Sequence, residues 1–216
     1  MGRNGSAAAS SCAPFANTGR RLRVPTIEFH LDADRAREAL AYLASKSPGL
    51  DVYRACKLLF LADKYHLVRY GRTITGDRYY AMPHGPAPNR VLNLLNIFLE
   101  DPSTPWLSSV LTIDRSFRYP HLVANGPLEL DNLSQSDIKA LDVTLERFGS
   151  KTFDELKSLT HEMVAYRNAW DKRGRKKSVP MDFEDFFEED SDAIAGVLEQ
   201  AIEDSQFRKA FPGPRI

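Results

Sequence analysis

Several features that would place the chain in a broad class are absent from its 216 residues. Only two cysteines occur, Cys12 and Cys56, so we expect no disulfide framework and a reducing cytoplasm as the compartment. No apolar run approaches the ~20 residues that a membrane-spanning helix needs. The 29 basic and 29 acidic residues give a formal net charge of zero, which argues against general attraction to nucleic acids or membranes. These absences favour a cytoplasmic protein with no membrane partner.

Familiar catalytic motifs are also missing. The sequence has no glycine-rich phosphate loop, no G-x-S-x-G and no C-x-x-C pair. His161 and Glu162 begin an H-E-x-x-H zinc motif, but Ala165 stands where the second histidine belongs. Four side chains could meet as a metal or acid–base cluster: Asp63, His66, Asp77 and His84. Their spacing is not typical of metal ligands, so a metal-dependent hydrolase is the less favoured hypothesis, and we expect no catalytic residue, metal or other cofactor.

Composition divides the chain into three segments. Residues 1–26 are rich in Gly, Ala, Ser and Arg and lack the apolar core of a secretory signal, so we predict a disordered basic tail. Residues 27–170 carry the periodic apolar patterns of one compact domain. Residues 171–216 are predicted to form a charged linker followed by an amphipathic helix. That helix places five apolar residues together: Ile194, Val197, Leu198, Ala201 and Ile202.

The linker contains a basic run, residues 172–177, followed by an acidic stretch, residues 182–192. Such a run can grip phosphate or RNA, or it can dock an acidic partner. The acidic stretch can also fold back and neutralise it. We favour this charge-paired linker, so direct nucleic-acid binding is not expected.

Residues 57–88 are the most informative part of the chain. A helix is predicted from Asp51, a good N-cap, to Tyr70, after which Gly71 ends it. One stripe of this helix is apolar: Val52, Cys56, Leu59, Phe60, Leu67 and Tyr70. The side assigned to water carries Arg54, Lys57 and Lys64.

Asp63 falls in the middle of the apolar stripe. A carboxylate buried there needs a cation or several N–H donors. The candidate partners are Arg72, Arg78, His84 and the backbone amides of the turns that follow. Two interpretations stay open. Asp63 either staples the helix to the next segment, which we favour, or serves as a binding or catalytic acid.

A hairpin is predicted next, because β-prone runs at 73–75 and 78–82 flank Gly76 and Asp77 in a two-residue turn. Pro86 and Pro88 then delay the next helix. Residues 89–100 are apolar almost all round, which is typical of a core helix or a partner-binding helix.

Other helices are predicted at 34–46, at 136–148 and from Thr152, which forms a capping box with Glu155. Short strands are predicted at 117–119 and 121–123, before an Asn125-Gly126 turn. The fold class is therefore mostly α (α+β), a compact helical domain with a small β-hairpin or sheet element.

The segment from Lys57 to Val91 resembles the Panacea domain, the SocA-like antitoxin family long described as phage-associated proteins. The similar pieces are Leu-Ala-Asp-Lys at 61–64, Gly-Arg at 71–72, Thr-Gly-Asp-x-Tyr at 75–79 and His-Gly-Pro-x-Pro at 84–88. Residues 153–156, 159–162 and Trp170 add a second, weaker likeness to the family's late helix. The resemblance spans about Asp34 to Trp170, so residues 27–170 are expected to be the SocA-like domain.

The resemblance implies a binding protein and not an enzyme. It implies the antitoxin of a type II toxin–antitoxin system, which neutralises a cognate protein toxin, encoded adjacently, by direct contact. The alternative is a proteolytic adaptor that presents a client, such as the toxin, to a protease. Ten residues form the candidate signature for toxin binding or scaffolding: Asp63, Tyr70, Arg72, Asp77, Arg78, Tyr79, Tyr80, His84, Pro86 and Pro88.

Overall fold

The computed structural model describes residues 27–187 and 192–210, and its elements are mostly helical. The described helices are α1 Ala33–Lys46, α2 Val52–Tyr70, α3 Asn89–Glu100, α4 Pro105–Ser108, α5 Gln135–Phe148, α6 Phe153–Glu162, α7 Val164–Asp171 and α8 Asp192–Ala210. The strands are β1 Leu50–Asp51, β2 Tyr79–Met82, β3 Gly85–Pro88, β4 Leu111–Asp114, β5 His121–Ala124 and β6 Val179–Pro180, and a 3-10 helix covers Phe183–Phe186. The predicted class, mostly helical α+β, is confirmed. The basic tail predicted for residues 1–26 lies outside the described residues.

Helix α2 occupies the centre of the fold and begins and ends where the sequence predicts. The Asp51 carboxylate accepts the amide hydrogen of Arg54 at 2.8 Å, which caps the N-terminus. Gly71 follows the last turn with φ of 71°, a left-handed conformation that glycine adopts without strain. The helix contacts α1, α3, α5, α6 and α8, so both of its sides are covered.

Lys57 contradicts the predicted solvent side of α2, because its side chain is buried. Only 2% of the residue is exposed, and its Nζ donates to the carbonyl oxygen of Pro86 at 2.5 Å. Periodicity places Lys57 beside Arg54 and Lys64, but strand β3 and helix α6 pack against this side of α2 and cover it.

The prediction of a hairpin between residues 73–75 and 78–82 around Gly76-Asp77 is wrong, and the hairpin lies further along the chain. Strand β2 pairs antiparallel with β3, from Tyr79 opposite Pro88 to Met82 opposite Gly85, so the turn is Pro83-His84. Residues 73–75 form no strand, because the amides of Ile74 and Thr75 and the Thr75 hydroxyl bind Asp63. The Thr75 carbonyl accepts the Asp32 amide hydrogen at 2.8 Å. The prolines are tolerated because β3 is an edge strand in the described sheet order β3-β2-β6.

A second small sheet has the order β1-β5-β4. Strand β5 begins at His121, as the sequence predicts, but residues 117–119 are an exposed bend rather than a strand. This bend belongs to the connection between β4 and β5, residues 115–120, which we call the aromatic loop.

Two apolar clusters form the core, one on each side of α2. The first joins α1, α3 and α5 with the sheet β1-β5-β4. The second gathers β2, α6, α7 and the 3-10 helix around Phe60 and Tyr79. Five buried residues of the second cluster come after Trp170: Val179, Met181, Phe183, Phe186 and Ala201. The domain boundary at Trp170 stays a prediction, but side chains from both of its sides share this cluster.

The first described residues are held by the last elements. The amide of Ile27 donates to the Glu184 carboxylate at 2.5 Å, and the amide of Glu28 donates to Ser205 Oγ at 2.7 Å. Segment 27–31 is therefore fixed between the 3-10 helix and α8. None of the helices in the described ranges is both long and apolar enough to cross a bilayer.

Candidate functional site

Asp63 lies at the centre of a buried hydrogen-bond network that joins α2 to the segment before β2. Its carboxylate accepts the amide hydrogens of Ile74 at 2.7 Å and Thr75 at 3.1 Å. It also accepts hydroxyl hydrogens, from Thr75 at 2.5 Å and from Tyr79 at 2.8 Å. The partners are N–H and O–H donors rather than Arg72, Arg78 or His84, so the stapling interpretation agrees with the geometry.

The electrostatics of this network follow from its burial. Burial raises the pKa of Asp63 to about 6, although the bonds from Thr75, Tyr79 and Ile74 act in the opposite direction. Burial also raises the pKa of Tyr79 well above its ordinary value, and the Asp63 charge adds to this effect. These shifts favour a neutral phenol beside the carboxylate, and neither side chain is exposed to solvent.

Asp77 caps the N-terminus of α3, where Pro88 offers no side-chain cap. Its carboxylate accepts amide hydrogens from Arg78 at 2.7 Å, Arg90 at 3.2 Å and Val91 at 2.8 Å. Burial raises the pKa of Asp77, and these three bonds oppose the shift. Asp77 thus fixes the start of α3 against the segment that leads into β2.

Arg72 forms an ion pair with Asp137 of α5 rather than with Asp63. Its Nη2 lies 2.9 Å from Oδ1 of Asp137. The same carboxylate oxygen lies 3.1 Å from His66 Nε2. Burial alone would raise the pKa of Asp137, but hydrogen bonds from Arg72 and Ser134 and the Arg72 charge bring it below the ordinary value. Burial lowers the pKa of His66, whose Nδ1 is 2.8 Å from the Arg72 carbonyl oxygen. This cluster ties α2 to α5.

Arg78 and Tyr80 are predicted residues that line an open cavity, together with the buried Asp77. A groove of about 300 Å³, which we call the arginine groove, lies beside the N-terminus of α3. Its walls are residues 27–31, 76–78, 80, 89–90 and 181–183. Arg78 and Arg90 are exposed and Tyr80 is half-buried, so these side chains are accessible to a partner.

The remaining predicted residues are divided between surface and interior. Tyr70 is 44% exposed and packs on the His66 ring with centroids 4.6 Å apart. His84 lies exposed in the β2–β3 turn, edge-on to Phe153. Pro86 and Pro88 are buried in β3 and build the scaffold only.

The structure does not gather Asp63, His66, Asp77 and His84 into one cluster. Each has the separate partners given above. Across the residues that the structure describes, no group of three or more His, Cys, Asp or Glu side chains could hold a metal ion. The acid–base cluster considered from the sequence therefore has no geometric counterpart there.

Sequence reasoning missed the environment of Lys57. Its ammonium lies 5.0 Å from the centroid of the Tyr53 ring, and burial lowers the pKa of Lys57 to about 7. Gly85 packs directly against this ammonium and has φ of 95°. A Cβ at this position would lie 2.9 Å from Lys57 Nζ and 2.7 Å from Thr160 Oγ1. The glycine in the His-Gly-Pro turn is the sequence signal for this close approach.

Sequence reasoning also missed the aromatic loop as a candidate interface. Phe117 and Tyr119 are 55% and 62% exposed. Phe117 stacks on His121 with ring centroids 4.1 Å apart, and the Arg118 guanidinium lies 5.4 Å from the Tyr119 centroid. Tyrosine, phenylalanine and arginine in this arrangement are typical of binding surfaces. The sequence feature that marks this loop is the Phe-Arg-Tyr run at 117–119, from which a strand was predicted instead.

The site thus combines a buried polar scaffold with an accessible groove and an exposed aromatic loop, the features of a binding domain. Residues 56–170, more than half of the chain, match the family described as antitoxin SocA-like, Panacea domain. The chain therefore belongs to this family of antitoxin domains, and the resemblance noted from the sequence is confirmed. No curated protein and no solved structure matches the chain.

Proposed function

We propose that this protein is the antitoxin of a type II toxin–antitoxin system and neutralises a protein toxin in the cytoplasm by direct binding. Its membership of the SocA-like antitoxin family carries the proposal. The toxin is proposed to be the product of an adjacent gene. Neutralisation by contact needs a surface that covers part of the toxin, and no group on the antitoxin needs to react.

The aromatic loop supports this proposal, because it offers anchors of the kind that dominate binding energies. Exposed Phe117 and Tyr119 would each bury a large ring in a toxin pocket. The Arg115 guanidinium donates to the Leu99 carbonyl oxygen at the end of α3, which fixes the base of the loop. A loop anchored in this way loses less conformational entropy on binding than a free one.

The outer stripe of α3 extends the same surface. Arg90, Asn93 and Ile97 are exposed on this helix, and Ile97 is 50% exposed. The stripe runs from the arginine groove to the base of the aromatic loop, about 18 Å for twelve residues of helix. Its length is suited to an interface of ordinary size.

The test is co-expression with the neighbouring gene. We expect the neighbour's product alone to arrest growth, and this chain to restore growth and to co-purify with that product. Restored growth without a complex, by co-purification and by size-exclusion chromatography, contradicts direct binding. A neighbour that is harmless when expressed alone contradicts the adjacent-gene part of the proposal.

A further inference from the structure

Arg78 and Arg90 start from neighbouring points of the backbone. The Asp77 carboxylate accepts the amide hydrogens of both residues, at 2.7 Å and 3.2 Å. The Arg78 carbonyl oxygen also accepts the amide hydrogen of Asn89 at 2.9 Å. The two guanidinium side chains therefore leave the same edge of the arginine groove, although eleven residues of sequence lie between them.

Neither guanidinium group is paired with another side chain in the described part of the chain. Among the described residues, Arg78 and Arg90 make no salt bridge and no side-chain hydrogen bond, whereas Arg72 is paired with Asp137. The Tyr80 hydroxyl and the Asn89 amide line the same groove, and they too have no hydrogen-bond partner in the described parts of the chain. Four donor-bearing side chains thus line one cavity, whose walls also include Glu28 and Asp182.

The nearest buried acid does not satisfy these arginines. Asp77 is 1% exposed and its two oxygens already accept three backbone N–H groups. The Arg90 charge also opposes the rise in the pKa of Asp77 that burial causes, but Arg90 forms no salt bridge with this carboxylate. The guanidinium groups themselves remain available for a ligand.

We propose that the arginine groove binds an acidic segment of the partner toxin, whose carboxylates are gripped by Arg78 and Arg90. This inference rests on the proposed antitoxin function. Guanidinium groups bind carboxylates in a two-pronged geometry, and the Tyr80 hydroxyl and Asn89 amide can donate to the remaining oxygens. The groove also adjoins the α3 stripe, so an acidic segment seated here would continue onto the same face as the aromatic loop.

The groove is suited to a short acidic segment of a protein partner. Its volume of about 300 Å³ accommodates one or two acidic side chains. Glu28 and Asp182 stand among the wall residues, and the whole chain has no net charge. Both features weaken the long-range attraction of any polyanion, so a short acidic segment held by direct contact with the two arginines is favoured over a long nucleic acid.

The first experiment measures fluorescence anisotropy of a labelled hexaglutamate peptide with the full chain at low salt. We expect the double variant Arg78→Gln/Arg90→Gln to lose about tenfold or more in affinity. The control Arg175→Gln/Lys177→Gln removes two exposed charges elsewhere and should bind as the wild type does. All three proteins should unfold at the same urea concentration, because the Asp77 bonds use backbone amides.

Three results would overturn the inference: no binding of hexaglutamate by the wild type, an equal loss in both double variants, or tighter binding of a hexathymidylate probe at the same groove. Co-expression separates this inference from the proposed function. If the wild type neutralises the neighbour's product and Arg78→Glu/Arg90→Glu neutralises it equally, the groove inference fails and the antitoxin function stands. If the wild type does not neutralise it, the antitoxin function fails, whatever the peptide assay shows.

Discussion

The Tyr79 hydroxyl donates to the Asp63 carboxylate at 2.8 Å, and neither residue is exposed to solvent. This bond joins the middle of α2 to the first residue of β2. The acid is surrounded by donors that belong to the fold, so its position in the apolar stripe is explained by structure. We expect variants at these positions to lose stability rather than a binding function alone.

Replacement of Asp63 by Ala should lower the free energy of unfolding by about 3–5 kcal/mol, because several buried donors lose their acceptor. Tyr79→Phe removes one donor and should cost about 1–2 kcal/mol. Urea denaturation measures both values. The control is Asp131→Ala, an exposed acid that should change stability little. A folded Asp63→Ala protein of wild-type stability that fails to neutralise its toxin would instead assign Asp63 a direct role in binding.

The sequence predicted much of this network and could not have predicted the rest. An acid in the middle of an apolar helical stripe shows that donors must be near, and the turn that follows supplies amides. Which donors they are depends on how residues 73–75 lie on α2, which is a tertiary contact. The same contact explains the misplaced hairpin: β propensity in that run cannot show that its amides already serve Asp63.

Lys57 predicts a pH dependence of stability. Burial lowers its pKa from 10.5 to about 7, so the unfolded chain binds more protons than the folded chain above pH 7. The free energy of unfolding should therefore rise by about 2 kcal/mol between pH 7 and 9. The window ends near pH 9, because burial raises the pKa of Cys56 to about 12 and thiol ionisation then favours the unfolded chain.

The measurement is urea denaturation at pH 7, 8 and 9 for the wild type and for Lys57→Met. The methionine variant should show a flatter profile, because it lacks the group that titrates. Lys64→Met, a half-buried lysine on the same helix, should keep the wild-type slope. An unchanged slope in Lys57→Met would show that other groups cause the pH dependence.

Gly76 allows segment 27–31 to approach the turn before β2. It has φ of 68°, and a Cβ there would lie 2.0 Å from the carbonyl oxygen of His30. Gly76→Ala should therefore destabilise the protein by about 2 kcal/mol or more. Gly126→Ala is the matched control, since Gly126 has φ of 60° with nothing within 4 Å, and should cost only about 1 kcal/mol. Equal losses in thermal unfolding would show that backbone strain, and not the contact, decides the effect.

The aromatic loop predicts hot spots for the toxin. Phe117→Ala and Tyr119→Ala should each weaken the complex by about tenfold or more, because large rings at the centre of an interface dominate affinity. Stability should change little, since both rings are mostly exposed. Calorimetry with purified toxin measures the effect, and Phe207→Ala on α8 serves as an exposed aromatic control. If all three variants bind equally well, the interface lies on another face.

Truncation after Trp170 should unfold or strongly destabilise the protein. It removes Val179, Met181, Phe183 and Phe186 from the cluster around Tyr79, and it removes β6 from the sheet. Circular dichroism and urea denaturation test this expectation. A truncated chain with a wild-type unfolding midpoint would establish that residues 27–170 suffice for the fold.

The features that the sequence predicted and those that it did not differ in how far apart along the chain the determining residues lie. Periodicity and capping signals located α1, α2, α3, α5 and α6, because these depend on residues a few positions apart. The burial of Lys57 depends on β3 and α6, and the core role of Phe186 depends on the distant rings of Phe60 and Tyr79. Residues 171–187 are mostly charged or polar, and their four core side chains are spaced too widely to form an apolar run. The sequence pattern therefore did not indicate that this segment contributes to the core.

The hydrogen bonds from Ile27 to Glu184 and from Glu28 to Ser205 span 157 and 177 positions of the chain. During translation the ribosome synthesises Ile27 and Glu28 long before it reaches Glu184 and Ser205. While translation is under way, the side of α2 around Phe60 has no 3-10 helix or α8 to cover it. Each nascent molecule therefore passes through a stage in which this apolar surface is open to chaperones and proteases.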